Sequence, residues 1–307
     1  MSLLTPNATY QMFGVTINEK IIPDGARWTD AAKARAAGFS ANALYKAQEP
    51  LCGTGKAKFV TIHNTSDLAN VHDDGEQYTR ATWPNQNMNS SRVHFFVDDT
   101  GAWQKLRAGT GLCPADPEGS AEVSWHAGDG SVATGGNMTS ISIEIIMGES
   151  TEHDAIARDN GARIAAWLLW KHGLTVDNLV THTYWVNKLA GKSFADVDTQ
   201  CTNPVTGGKW CPTYIFGSGV AATAKKNWLV FKAIVAGYLA ELSAEPEQEK
   251  EHDMTYYKNL EDVPGWYRDA IKKVVDAGAL RGTGKGLNVS EDFCRIMTVL
   301  DRLGKLD

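Results

Sequence analysis

Short β-patterned runs and longer helical ones share the first two-thirds of the chain. Phe59-Val60-Thr61-Ile62-His63 is β-branched and aromatic and predicts a strand. Val93-His94-Phe95-Phe96-Val97 predicts a second, closed by the turn-forming Asp98-Asp99-Thr100-Gly101. Ile141-Ser142-Ile143-Glu144-Ile145-Ile146 predicts a third, and Leu179-Val180-Thr181 a short fourth that leads into His182. Ile156, Ile164, Ala165, Leu168 and Leu169 recur at helical spacing and predict a helix over 154–172, with Gly173 as its C-terminal stop. A second long helix fits 219–242, where Trp228, Phe231, Ile234, Val235, Tyr238 and Leu239 fall on or near one face. Residues 1–50 are polar and Ala-rich with little periodicity, and predict loops and short helices at the edge of a domain.

This mixture predicts an α/β domain over residues 1–240, a central mixed β-sheet flanked by helices. Residues 241–253 carry six carboxylates and a proline with almost nothing apolar, the composition of a solvated linker. Residues 254–307 predict a small, mostly helical C-terminal module. Its helices run from Trp266 to Ala277 and from Glu291 to Leu303, with Arg281–Gly286 as the turn and Ser290 as an N-cap.

Composition narrows the function. A net charge of -6 argues against a general nucleic-acid binder, which needs a basic surface to displace counterions. No apolar run reaches the length of a membrane span. Met1–Asn7 lacks the basic segment and apolar core of a signal peptide, so export is expected by another route. Five scattered cysteines, an odd count in a long chain, do not form a disulfide framework. Gly53-Thr54-Gly55-Lys56 and Gly282-Thr283-Gly284-Lys285 lack the upstream glycine and following hydroxyl of a phosphate loop.

The candidate chemistry begins at Glu144. Alternation points Ile141, Ile143 and Ile145 one way and Ser142, Glu144 and Ile146 the other. A carboxylate in such a strand admits two readings. Desolvation raises its pKa toward that of a general base, or the strand lies at an edge and the glutamate is merely solvated. His63 and His182 each close a strand, the usual place for sites on open α/β sheets, and imidazole is a favoured zinc ligand. Lys209-Trp210-Cys211-Pro212 offers a thiolate, with proline suited to a helix's first turn. A helix N-terminus and a nearby cation would lower the thiol pKa. Two histidines and a cysteine leave one position open on a tetrahedral ion, the pattern of a catalytic rather than a structural zinc.

The ordered set Thr61-Ile62-His63-Asn64-Thr65, Val93–Asp98, Trp125-His126-Ala127-Gly128-Asp129-Gly130, Asn137, Ser142-Ile143-Glu144-Ile145, Val180-Thr181-His182 and Lys209-Trp210-Cys211-Pro212 resembles the zinc-dependent N-acetylmuramoyl-L-alanine amidases of the amidase-2 family. That superfamily includes peptidoglycan recognition proteins, phage endolysins and bacterial autolysins, and the resemblance covers roughly residues 55–215. It implies Zn2+ held by His63, His182 and Cys211, with Glu144 as catalytic acid/base and Lys209 stabilising the oxyanion. It implies Asn64, His94, Trp125, His126 and Asn137 along the substrate groove, with His126 foremost for touching substrate. Val93 stands where some members carry a catalytic tyrosine, which places the chain with the glutamate-dependent branch.

The insert from Tyr184 to Gly208 brings Cys201 in as a second thiol, but the Lys-x-Cys-Pro pattern favours Cys211. The implied partner is bacterial peptidoglycan, reached from the cytoplasm after holin-dependent or lytic release. The tail resembles small modules on phage and Firmicutes wall hydrolases, which implies wall binding or self-association. Two competing readings are a non-catalytic peptidoglycan binder and a cysteine amidase pairing Cys52 with His63. His72, His153, His172 and His252 read as surface residues.

Overall fold

The computed structural model describes residues 4–22, 49–66, 74–82, 93–192, 201–205, 208–244, 256–280 and 286–306. Seven strands form the main sheet: β1 (Ala8–Met12), β2 (Val15–Glu19), β3 (Phe59–Ser66), β4 (Phe95–Val97), β5 (Ala102–Gln104), β6 (Ser140–Met147) and β7 (Leu179–Thr181). Their order across the sheet is β1-β2-β5-β4-β6-β3-β7. The β1–β2 and β4–β5 pairs are antiparallel and the other four pairs are parallel, so the sheet is mixed. The helices of this unit are α1 (Asp74–Thr82), α2 (Gly136–Thr139), α3 (Thr151–Lys171), α4 (His182–Leu189), α5 (Thr213–Phe216) and α6 (Ala221–Ser243).

The N-terminal residues depart from the expected loops and short helices. Ala8–Glu19 is a hairpin whose two-residue turn, Phe13-Gly14, has positive φ at both positions (47° and 82°). Such a turn suits the right-handed twist of the strands but is most legible as Asn-Gly or Asp-Gly. Phenylalanine at the first turn position hid it. Residues 23–48 lie outside the described residues. The second expected strand is shorter than drawn, Phe95–Val97, although His94 still exchanges backbone hydrogen bonds with Ser142 and Lys105.

The alternation in β6 decides the layers. Ile141, Ile143 and Ile145 are fully buried on the face that meets α3. A Cβ on Gly161 of α3 would sit 2.3 Å from Ile145 Cδ1, so only glycine lets the helix approach this closely. Ser150 caps α3 by accepting from the His153 amide, and Gly173, at φ 66°, follows its end. α6 packs in turn on α3 through buried Trp228, Phe231 and Val235.

The opposite face is polar. In-register parallel pairing sets Thr61, His63 and Thr65 of β3 beside Ser142, Glu144 and Ile146 of β6, and Phe96 of β4 beside Glu144. α1 covers part of this face, with Tyr78 stacked on Phe96 and hydrogen-bonded to Thr65. His172, expected at the surface, is half-buried at the end of α3. Its Nδ1 accepts from the Ala57 amide and its Nε2 donates to the Ala108 carbonyl, so it ties the helix end to two loops. His72 and His252 lie outside the described residues.

Contact clustering divides the chain into two compact units, Met1–Ser243 and Ala244–Asp307. The second unit pairs β8 (Tyr256–Tyr257) with β9 (Val289–Ser290) and holds α7 (Gly265–Asp276) and α8 (Glu291–Arg302) around Val263, Ile271, Val289 and Cys294. Ser290 accepts from the Phe293 amide as the N-cap of α8. Most of the expected turn between these helices lies outside the described residues. Among the described residues, no helix is long and apolar enough to cross a membrane.

Ile143→Ala should destabilise the first unit by about 2–5 kcal/mol, because it empties a fully buried site in the central strand. Urea unfolding followed by tryptophan fluorescence measures this.

Candidate metal centre

His63 lies inside β3 rather than closing it, because the pairing with β6 carries the strand on to Ser66, whereas His182 opens α4 directly after β7, where Thr181 caps the helix by accepting from the Tyr184 amide. Cys211 arrives on the segment before α5. The ligand atoms of His63, His182 and Cys211 all lie within 4.8 Å of one another. The two imidazole rings meet edge to face at 4.7 Å between centroids. His63 Nδ1 lies 4.0 Å from Cys211 Sγ. Cys201 is buried and is not one of these donors, and its backbone carbonyl accepts from Thr181 Oγ1.

Residues next to the ligands hold them in place. Thr183 is fully buried. Its amide donates to the Cys211 carbonyl at 3.1 Å, and its Oγ1 accepts from the Cys211 amide at 3.0 Å. One residue, next to His182 in the chain, thus ties that segment to Cys211 through its backbone and its side chain. Asn64 does the same for His63: its Nδ2 donates to the Ile145 carbonyl and its Oδ1 accepts from the Ile215 amide of α5. Thr183 was missed in the sequence because a threonine after a histidine carries no distinctive signal. Pro212 is the N-cap of the four-residue α5 rather than a member of its first turn.

Glu144 lies between β4 and β3, so the solvated edge-strand reading does not hold. Burial raises its carboxyl to about 7, with Lys209 and then Lys105 pulling it back. As a whole residue Glu144 is half-buried. Lys209 is exposed, and its charge acts on Glu144, His63, His182 and Cys211 alike. Lys105 was not anticipated. It is fully buried just past β5, with Nζ 5.1 Å from the centre of the Phe96 ring beside Glu144.

The thiol departs from expectation. Burial, and then the Glu144 charge, push Cys211 up to about 12, outweighing Lys209. The imidazoles move the other way. Burial, then His182, His126 and Lys209, hold His63 well below its ordinary value, and burial followed by Lys209 lowers His182 to about 4.

The buried Nδ1 of His182 has no hydrogen-bond partner among the described residues. An orphaned, neutral ring nitrogen beside a second imidazole and a thiol is a donor set that fits a borderline-soft cation, and the thiol would exchange its proton for the ion.

Of the five residues expected along the groove, three have interior roles instead. His94 is fully buried, accepting from the Ser142 amide at Nδ1 and donating to the Glu122 carbonyl from Nε2. Asn137 is fully buried, its Oδ1 accepting from the amides of His126 and Ala127. His126 is buried, with both ring nitrogens engaged inside the protein, at His63 Nε2 and at the Gly136 carbonyl. Of these, His126 was the one expected to touch substrate, the others to line or support the groove, and the direction in which a hydrogen-bonding side chain faces is not written in the sequence. Trp125 is half-buried and packs on the main core, and Asn64 is the clamp described above. Neither nitrogen of His63 faces Cys52, which leaves the cysteine-nucleophile reading without its base.

Residues 53–213, just over half of the chain, match the family model described as N-acetylmuramoyl-L-alanine amidase, and the chain belongs to that family. Two curated relatives come from Bacillus subtilis (strain 168). N-acetylmuramoyl-L-alanine amidase XlyA is 32% identical over 167 residues, covering 54% of this chain and 50% of that protein. N-acetylmuramoyl-L-alanine amidase CwlH is 28% identical over 167 residues, covering 53% and 60%. The chain thus spans about half the length of the first and three-fifths of the second. Among solved structures, a mutant endolysin from Bacillus subtilis is similar at a TM-score of 0.44 and 27% identity, over 72% of this chain and 99% of that one. The catalytic domain of XlyA is similar at 0.41 and 25%, over 71% and 98%.

The lowered imidazoles, His63, His126, His182 and His172, set a pH dependence. A group with a depressed folded pKa contributes stability above its unfolded value, near 6.5, and loses it as pH falls through the folded value. Glu144, between about 7 and 4.5, and the raised Asp129 and His153 act oppositely, but the four lowered imidazoles, three of them in the buried site, outweigh them. Metal-free protein should therefore melt at a lower temperature at pH 4.5 than at pH 7. Calorimetry after chelation measures it, and an unchanged or higher melting point at pH 4.5 would contradict it.

Proposed function

We propose that this chain hydrolyses the amide bond between N-acetylmuramic acid and L-alanine in bacterial peptidoglycan. The observation that carries the reading is the meeting of the His63, His182 and Cys211 donor atoms within 4.8 Å, on a sheet face that also holds Glu144. Family membership over residues 53–213 supports the same reaction.

His63, His182 and Cys211 would hold Zn2+. Zinc, when bound in such a site, supplies a Lewis acid that polarises a carbonyl and makes a water molecule acidic near neutral pH. Glu144, raised to about 7, is matched to accept the proton of the attacking water and return it to the leaving amine. Lys209, exposed and close enough for its charge to act on Glu144 and the three donors, would stabilise the charge that develops on the carbonyl oxygen. The clamps at Thr183 and Asn64 keep the donors in place through the cycle. In the second unit, Trp266 is 72% exposed and offers a stacking surface for wall sugars, which supports a wall-holding role.

Mass spectrometry of digested cell wall tests the reaction. New L-alanine amino termini without new reducing ends are expected, and their loss on chelation is expected too. Wall that is bound but never cut would support the non-catalytic binder instead. Glu144→Gln should keep its zinc while turnover falls about 10²- to 10⁴-fold, measured by metal analysis and kinetics. Trp266→Ala in the full chain should leave more protein in the supernatant after sedimentation with insoluble wall, with turnover on soluble fragments unchanged.

A further inference from the structure

We propose that His126 is a positioning residue that fixes the proton of His63 on Nε2 and so leaves the Nδ1 lone pair free for a metal ion. The inference rests on the reading of His63, His182 and Cys211 as a zinc site.

A chain of hydrogen bonds runs from the Gly136 carbonyl through His126 to His63. The Gly136 carbonyl can only accept, and it lies 3.2 Å from His126 Nε2. That nitrogen therefore carries the proton. Ser140 Oγ lies 3.1 Å from the same nitrogen and donates its own proton to the Gly136 carbonyl at 3.0 Å, leaving a lone pair toward the ring. A neutral imidazole protonated at Nε2 is an acceptor at Nδ1. His126 Nδ1 faces His63 Nε2 at 2.9 Å, so His63 is the donor there. Its remaining nitrogen, Nδ1, then bears the lone pair, and this is the atom that looks toward Cys211 Sγ. One backbone carbonyl thus sets the tautomer of two consecutive rings. Partners of this kind orient metal-binding histidines and raise their affinity.

The carbonyl is held as firmly as the rings. Asp129 accepts from the amides of Gly136 and Asn137, and Asn137 Oδ1 accepts from the amide of His126 itself. A Cβ at position 136 would lie 2.6 Å from both the Ala127 Cβ and the Trp185 ring, so glycine is the residue that fits. Trp185 Nε1 donates to Thr61 Oγ1, which is hydrogen-bonded to Ser140 Oγ at 2.8 Å. The frame around the relay is closed on each of these sides.

Two measurements test the proposal. The first needs no variant: long-range 1H–15N spectra of the imidazoles in metal-free protein report the tautomers directly. Both His63 and His126 are expected to be protonated at Nε2, and a His63 proton on Nδ1 overturns the proposal. The second compares zinc dissociation constants, by competition with a chromogenic chelator, for the wild type, His126→Gln and His126→Leu. Glutamine can accept from His63 and donate to Gly136, and leucine can do neither. His126→Leu should bind zinc about 10- to 100-fold more weakly, and His126→Gln should lose less than about 10-fold. Equal affinity of His126→Leu and wild type, or equal weakening in both variants, overturns the proposal, the latter by assigning the loss to packing. A wild-type chain that binds no zinc would sink the metal reading as well, and is distinguishable from either result.

Discussion

The in-register parallel pairing of β3 with β6 is the constraint on which the site depends, because it sets His63 directly beside Glu144. A slip of one residue would turn one of the two onto the opposite face. What prevents the slip lies on that opposite face. Ile141, Ile143 and Ile145 must be buried under α3, and Gly161 lets the helix press close enough to hold them there. Hydrophobic burial on one side of the sheet therefore aligns the polar chemistry on the other.

Around that alignment the site is electrostatically unbalanced in a consistent way. Burial pushes the Glu144 carboxyl and the Cys211 thiol up and the His63 and His182 imidazoles down, so each group favours its neutral form. A buried, hydrogen-bond-poor cluster of neutral donors is expensive to maintain unless something cationic joins it. The protein holds the cluster through the neighbours of the donors, Thr183 and Asn64, whose hydrogen bonds leave the donor atoms themselves free.

Much of this was legible in the sequence. The isoleucine alternation around Glu144, the histidine that follows β7 and the Lys-x-Cys-Pro segment carry their positions in local pattern alone, and the helices at 151–171 and 221–243 follow from spacing, whereas the pattern ended β3 at His63, three residues short of Ser66. What was not legible depends on distant contacts or on direction. The N-terminal hairpin hid behind a phenylalanine in its turn. Lys105 reads as an ordinary polar strand-end residue, and only the sheet order buries it next to Glu144. The inward turn of His94, His126 and Asn137 is set by carbonyls and amides of other segments, Glu122, Gly136 and Ala127 among them, which no motif names.

His63 and Cys211 stand 148 residues apart in sequence and 4.0 Å apart in space. An ion shared by them would act as a removable staple across that long loop. Binding the folded chain alone, it would stabilise that state by an amount that grows with the logarithm of its free concentration. The socket is also incomplete until the last of the three donors has been synthesised, so a nascent chain has no means of loading it early. Metal supply and completion of the fold are thereby linked in a single step.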